Sequence, residues 1–396
     1  MLKKLIVFFI FGLILIYIIN SKYVYIYFVS TVDNIIFQDW RYYIDALKCK
    51  ALGSVCDTFN YGKILFYLPY FNEIDYFYNH VAPIFLILIF YTIIFKLLPL
   101  NYNSDYLLLF LVCFNPSTIL LIERANIDIL VFIVLFIVSY SNIYLINYVL
   151  INFIFLAKYY PVTFFINFLI ENKKRKINKS IFLLSSALLI CFLFLLINHN
   201  FLIDFFNNSG LSKAGLHYIF SIKTLPKIFK YLFDLNYIFL LVIFLFLFIY
   251  LVKKIYEYIT NSNLLLNLDL FSLNLKLFII ATNTLLFCFL IFSNYFYREI
   301  FLILTIPLIY ELKKNNKDIF FKSFYFFILL RYCFLFLYGF ILLQKTQYHI
   351  NEIRIYTNIF LGFTFLKGLF DFVLMSVLTS MIVFFNIKII NLINAK

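Results

Sequence analysis

Long stretches of this chain carry no charge at all, and that property limits the folds open to it more than any other. LIVFFIFGLILIYII near the N-terminus, SIFLLSSALLICFLFLLI from Ser180 and IFLLVIFLFLFIYLV from Ile238 are uninterrupted apolar runs. They approach or reach the roughly 20 residues that a helix needs to cross a bilayer. The composition agrees, with 65% hydrophobic and 13% charged residues and a mean hydropathy of +0.97. A soluble domain needs roughly 25% charged residues to cover its surface. The chain therefore reads as an all-α, polytopic integral membrane protein. Its wealth of Phe, Tyr, Ile, Asn and Lys matches the codon bias of an AT-rich genome, so the 23% aromatic content carries no functional weight.

The apolar pattern predicts about twelve membrane segments. They lie near 4–20, 81–98, 105–122, 127–140, 142–157, 159–170, 180–197, 237–252, 275–293, 297–312, 319–344 and 356–386. Segments 142–157 and 159–170 are short, which predicts tilted, broken or re-entrant pieces lining an internal site. The first segment follows Lys3 and Lys4 and has no small-residue cleavage site after it, so it reads as a retained helix. No internal repeat or linker divides residues 1–396, which are taken as one domain.

Lys and Arg in short connections set the orientation. Lys3–Lys4, the cluster from Lys173 to Lys179, Lys253–Lys254, and Lys313, Lys314, Lys317 and Lys322 fall on one side, predicted to be cytoplasmic together with both termini. The formal charge of +14 sits at the ends of apolar segments, where topology signals and headgroup contacts belong. Nucleic acid is therefore excluded as a partner, and membrane lipids are expected. Four of the six cysteines lie in apolar runs as small hydrophobic filler, whereas Cys49 and Cys56 share a polar loop and are candidates for a disulfide.

This topology sends five separated polar clusters to the opposite, outer face. The first loop carries Asp39, Arg41, Asp45, Asp57 and Glu73. The turn IERANID carries Glu123, Arg124, Asn126 and Asp128. The junction AKYYP carries Lys158, Tyr159 and Tyr160, the 198–236 loop Asp204 and His217, and NYFYREI Tyr297, Arg298 and Glu299. Any one such residue is most simply a headgroup contact. Charge near hydrocarbon is costly, however, and three ionisable groups within the turn 123–128 call for a partner or a polar cavity. Mixed carboxylates, guanidinium and ammonium suit a phosphate-bearing polar substrate, the cations holding the phosphate and a carboxylate moving a proton. Arg331, Lys367 and Asp371 lie inside the last two apolar runs; Lys367 and Asp371, four apart, are expected to neutralise each other. No closely spaced His/Asp cluster of metal-ligand type is present, and no metal is expected.

The order of these features resembles the polytopic glycosyltransferases of the GT-C superfamily, most closely the polyprenol-phosphate-dependent group that includes mannosyltransferases (DUF2029/GT87). Asp39, Tyr42, Tyr43, Gly53, Tyr61, Gly62 and Pro69 stand in for that group's first-loop motif. Its E-R-G-N-x-D turn appears as Glu123-Arg124-Ala125-Asn126-Ile127-Asp128, its K-x-Y-P segment as Lys158-Tyr159-Tyr160-Pro161, and a late Y-x-Y-R segment as Tyr295-Phe296-Tyr297-Arg298. The resemblance spans about 35–310. Ala125 departs from the usual Gly, and the first loop lacks a Y-P-P.

The resemblance implies an enzyme of the bacterial cytoplasmic membrane that moves a hexose from a polyprenyl-phosphate donor to a glycan, glycolipid or protein acceptor at the outer face. It uses no cofactor. Asp39 is the expected base, with Asp45 in reserve. Arg124 and Lys158, and less directly Arg298, would hold the leaving phosphate. Glu123, Asn126, Asp128, Tyr160 and His217 complete the expected substrate contacts. The rival class is a polymerase, flippase or transporter of lipid-linked oligosaccharide. A transporter would place its charges at the midplane with inverted repeats; a polymerase would rely on arginines in large outer loops.

Overall fold

The computed structural model describes residues 37–53, 63–101, 103–141, 143–170, 177–200, 219–262, 272–291, 294–315, 318–347 and 353–394. Helix α1 spans Gln38–Ala51, followed by 3-10 turns at Lys63–Tyr67 and Asn72–Ile74 and a π turn at Phe77–Val81. Then come α2 (Ala82–Leu97), α3 (Asn103–Phe114), α4 (Pro116–Arg124), α5 (Asp128–Tyr140), α6 (Tyr144–Lys158), a 3-10 helix over Tyr160–Ile166, α7 (Asn167–Ile170) and α8 (Ile177–Ile197). The second half holds β1 (Ile219–Phe220), α9 (Thr224–Phe233), α10 (Tyr237–Asn261), α11 (Leu273–Ile291), β2 (Asn294–Tyr295), a 3-10 helix over Phe296–Thr305, α12 (Ile306–Asn315), α13 (Ile319–Gln347) and α14 (Ile353–Asn394). β1 and β2 pair antiparallel, Ile219 opposite Tyr295.

The chain is thus an all-α, multi-pass membrane protein. Among the described residues six helices are long and apolar enough to cross a membrane: Phe77–Leu97, Ser180–Ile197, Tyr237–Asn261, Leu273–Ile291, Ile319–Gly339 and Phe360–Lys388. A seventh span forms if the bent pair α3–α4 is counted as one. The other expected segments take shorter forms. α5 and α6 have 13 and 15 residues, which at 1.5 Å per residue gives about 20 Å against a hydrocarbon core of about 30 Å. The expected segment 159–170 is a 3-10 helix running into α7; it opens at Tyr160, directly after Tyr159 in a positive-φ conformation, and carries Pro161 in its first turn. Segment 297–312 is likewise a 3-10 helix continued by α12. The 4–20 segment lies outside the described residues.

The α3–α4 bend of 42° has a local cause. Asn115 leaves the helical region at ψ 157 and its side-chain oxygen accepts from Ser117 N (2.9 Å) and Thr118 N (3.0 Å), while Pro116 begins α4. Proline fits the first helical position because the amide hydrogen that it lacks has no helical partner there. Asn115 Nδ2 also donates to Val112 O at 2.7 Å, tying the end of α3 to the start of α4.

Lipid tails are as apolar as leucine, so helices in a membrane associate through packing and interhelical hydrogen bonds. Tyr91 Oη donates to Cys113 O (3.2 Å) between α2 and α3, Ser380 Oγ to Val252 O (2.9 Å) between α14 and α10, and Lys276 Nζ to Ser139 O (3.3 Å) between α11 and α5. Cys49 is disulfide-bonded; the expected partner Cys56 lies outside the described residues.

Replacing Asn115 with Ala removes the cap from two buried amides at the bend. It is predicted to lower stability by about 1–2 kcal/mol, read as a lower unfolding temperature in detergent.

Candidate functional site

The polar turns sit on the ends of the short helices α4, α5 and α6. α4 finishes at Arg124, α5 begins at Asp128 and α6 finishes at Lys158. Each charge has the sign that its helix end favours, since a helix carries partial positive charge at its N-terminus and partial negative charge at its C-terminus. α4 closes in a Schellman motif: Asn126 N donates to Leu121 O (3.2 Å) and Ala125 N to Ile122 O (2.9 Å), with Ala125 left-handed at φ 43°. Here the chain holds Ala in a conformation that costs L-residues about 1–2 kcal/mol.

α1 is brought against this turn by one backbone bond, Phe37 N to Glu123 O at 2.8 Å. Asp39 then meets Arg124, which donates to Oδ1 from Nε (2.9 Å) and Nη2 (2.6 Å). Asn126 Nδ2 donates to Asp39 Oδ2 at 2.5 Å. Asn126 Oδ1 in turn accepts from Lys158 Nζ (2.8 Å) and Asp128 N (3.0 Å). Lys158 Nζ lies 3.0 Å from Asp128 Oδ1, and the same oxygen accepts from Tyr160 Oη at 2.8 Å. Arg298 Nε stands 3.5 Å from Asp128 Oδ2, with its guanidinium 4.7 Å above the Tyr160 ring. Four stretches distant in sequence thus close one network through Asp39, Arg124, Asn126, Asp128, Lys158, Tyr160 and Arg298.

The network is graded in depth. Side-chain exposure is 0% at Asp128, 8% at Lys158, 11% at Asp39, 18% at Arg298 and 24% at Arg124. The two arginines therefore hold the accessible edge and Asp128 the floor. Apolar walls surround the floor: Tyr160 packs edge-on against Phe301, and Phe301 stacks with Phe132.

Backbone strain gathers at the same place. Among the described residues four non-glycine residues have positive φ: Phe37, Ala125, Tyr159 and Asp234. The first three flank Asp39, Arg124, Asn126 and Lys158. Conformations of this kind cost about 1–3 kcal/mol each and persist where the surrounding structure holds them, as at ligand clamps and active sites.

Not every expected residue joins the network. Glu123 is 3% exposed, and its Oε2 accepts no hydrogen bond from the described residues although Arg124 lies close by. Asp45 is six residues past Asp39, about 120° round the helix. It is exposed, with Lys48, Asp75 and Arg41 as its charged neighbours. In that neighbourhood Tyr70 Oη donates to Asp75 Oδ1 and holds the Asp75 carboxyl below its usual range. Asp45 thus lies on a different face of α1 from Asp39. Glu299, grouped from sequence with the outer charges, turns instead to Arg331 and Lys367. His217 lies outside the described residues. Trp40, not singled out from sequence, anchors the segment next to Asp39 by donating from Nε1 to Tyr78 O at 2.8 Å; its signal was present, since it is the only Trp in the chain.

Chemically, the arrangement offers two partly exposed guanidinium groups and a nearly buried lysine, with one carboxylate, Asp39, bonded to Arg124. Among the described residues no group of three His, Cys, Asp or Glu side chains is placed to hold a metal ion. Lys158→Met leaves buried Asp128 with Arg298 as its remaining cation. It is predicted to destabilise the protein by about 3–5 kcal/mol, the range for breaking a buried ion pair on one side, measured by thermal or denaturant unfolding in detergent. Comparisons of the chain with protein-family models, with curated proteins and with solved structures return no match.

Proposed function

We propose that the chain is a membrane glycosyltransferase that moves a sugar from a polyprenyl-phosphate donor to a hydroxyl acceptor, with the network around Asp39 as its active site. The observation that carries this reading is the depth grading: Arg124 and Arg298 hold the accessible edge while the carboxylates lie deeper. Such an edge attracts an anion, and Arg and Lys bind phosphate by charge-assisted hydrogen bonds. A donor anchored by its lipid reaches this depth without leaving the membrane. On the topology read from the short loops, the site opens on the outer side of a bacterial cytoplasmic membrane.

The reaction follows from the pairings. Both Asp39 oxygens are occupied in the resting site, Oδ1 by Arg124 and Oδ2 by Asn126. A donor phosphate competes with Asp39 for the Arg124 guanidinium, so donor binding uncovers Oδ1. Asp39 then accepts the proton of the acceptor hydroxyl as its oxygen attacks the anomeric carbon. The bond from that carbon to the phosphate oxygen breaks on the opposite face, and its electron pair leaves with the polyprenyl phosphate, giving inversion. Arg124 and Lys158 stabilise the departing charge. Asn126 holds Asp39 and Lys158 in register through its two ends, and Tyr160 keeps Asp128 facing Lys158.

Trp40, adjacent to Asp39, makes the proposal measurable in the native chain. Polyprenyl phosphate added to the protein in nanodiscs is predicted to change Trp40 fluorescence saturably, and Arg124→Gln to weaken that binding about tenfold or more. Asp39→Asn is predicted to retain binding while lowering sugar transfer by about 10²–10⁴-fold. No response in the wild type would remove the phosphate site, and full transfer by Asp39→Asn would remove Asp39 as base.

A further inference from the structure

A second buried charge network stands behind the first. Arg331 of α13 donates from Nη2 to Glu299 Oε2 and Asp371 Oδ1, each at 2.5 Å, and from Nε to Asp371 Oδ1 at 3.1 Å. Lys367 of α14 donates to Glu299 Oε1 (2.8 Å), Asp371 Oδ2 (2.7 Å) and Ile219 O (3.2 Å). All four charged side chains are 1–2% exposed. Two positive and two negative charges balance, which is the condition for burying them together.

Its placement is what matters. Glu299 directly follows Arg298 in the 3-10 helix Phe296–Thr305. Such a helix has three residues per turn, so neighbours point about 120° apart. Arg298 faces Asp128 and Tyr160, while Glu299 faces Arg331 and Lys367. Lys367 also grips β1 through Ile219 O, and β1 pairs with β2, the strand that leads into this 3-10 helix. The next residue of α14, Gly368, lets the start of α9 seat against the helix: a Cβ there would come within 2.9 Å of Leu225 Cδ2 and 3.4 Å of Thr224 Cγ2. The N-terminal part of the Arg298 segment is thereby tied to α13 and α14 twice, through Glu299 and through β2.

We infer that Glu299, with Lys367 and Arg331 behind it, is a positioning residue that holds Arg298 over Tyr160 at the cationic edge. The last two helices, which carry no part of the first network, set one of its arginines. The phosphate affinity ascribed to Arg298 rests on the proposed function; the anchoring of Arg298 does not.

The charge-balanced pair Glu299→Gln/Lys367→Met tests this without leaving a net buried charge. The probe is polyprenyl phosphate in nanodiscs, read by Trp40. Arg298→Gln is expected to weaken binding about tenfold. The pair is expected to weaken it by a similar factor, and the triple variant no further than Arg298→Gln alone. Such non-additivity marks action through Arg298, which loosened packing would not produce. Wild-type affinity in the pair, or full additivity in the triple variant, would overturn the inference. If wild type binds no polyprenyl phosphate, the functional reading fails, and amide hydrogen exchange decides the anchoring by itself. Exchange over 296–305 should rise in the pair while that over 128–140 stays unchanged; unchanged exchange over 296–305 would overturn the inference. If the pair does not fold, Glu299→Asp, which keeps the charge and shortens the tether, is judged by the same two readouts.

Discussion

Asp128 is fully buried in a bundle built to face lipid, and the site depends on how its charge is compensated. A carboxylate removed from water needs cations and hydrogen bonds in close geometry, or its burial is strongly unfavourable. Lys158 and Tyr160 meet that need from one junction and Arg298 from another, distant in sequence. Those segments must end at the same depth, which is why α5 and α6 stop short of a full bilayer crossing. The short helices and the buried charge are thus two aspects of one requirement. Asn126 extends it to α1, binding Lys158 at one end of its amide and Asp39 at the other.

The second network follows the same rule with a different outcome. Glu299, Arg331, Lys367 and Asp371 compensate one another with almost no exposure, so they present nothing to a ligand. In the first network compensation is complete at the floor and looser at the edge, where Arg124 and Arg298 keep part of their surface. Two assemblies of similar composition therefore divide, by burial alone, into one fully enclosed and one partly accessible. The residues 298 and 299, side by side in the chain, belong one to each.

Much of the site was legible because its residues are chemically out of place. Charges in the turn 123–128 and at Lys158 interrupt apolar runs, and a membrane protein keeps such charges only where something answers them. The membrane class followed from the runs themselves. The helix count did not, because hydropathy alone does not separate a helix from a 3-10 segment of equal apolarity, as at 160–166 and 296–305. The partner of Asp39 followed from the resemblance only as membership of one site; the hydrogen bonds from Arg124 and Asn126 depend on the left-handed turn at Ala125. Asp45 shares a loop, but not a helix face, with Asp39, a difference that loop membership alone does not reveal. Lys367 and Asp371 were paired correctly from their i, i+4 spacing, whereas Glu299 and Arg331 join them across the fold, which local spacing does not reveal.

The central claim is that the Arg124–Asp39 pair opens to a lipid-borne phosphate. The most direct measurement is an electron cryomicroscopy structure of the protein in nanodiscs with a polyprenyl phosphate bound. The account predicts phosphate oxygens within about 3 Å of Arg124 and Lys158 nitrogens, with Asp39 Oδ1 released from Arg124. Phosphate density away from these residues, with the Arg124–Asp39 pair still closed, would contradict it.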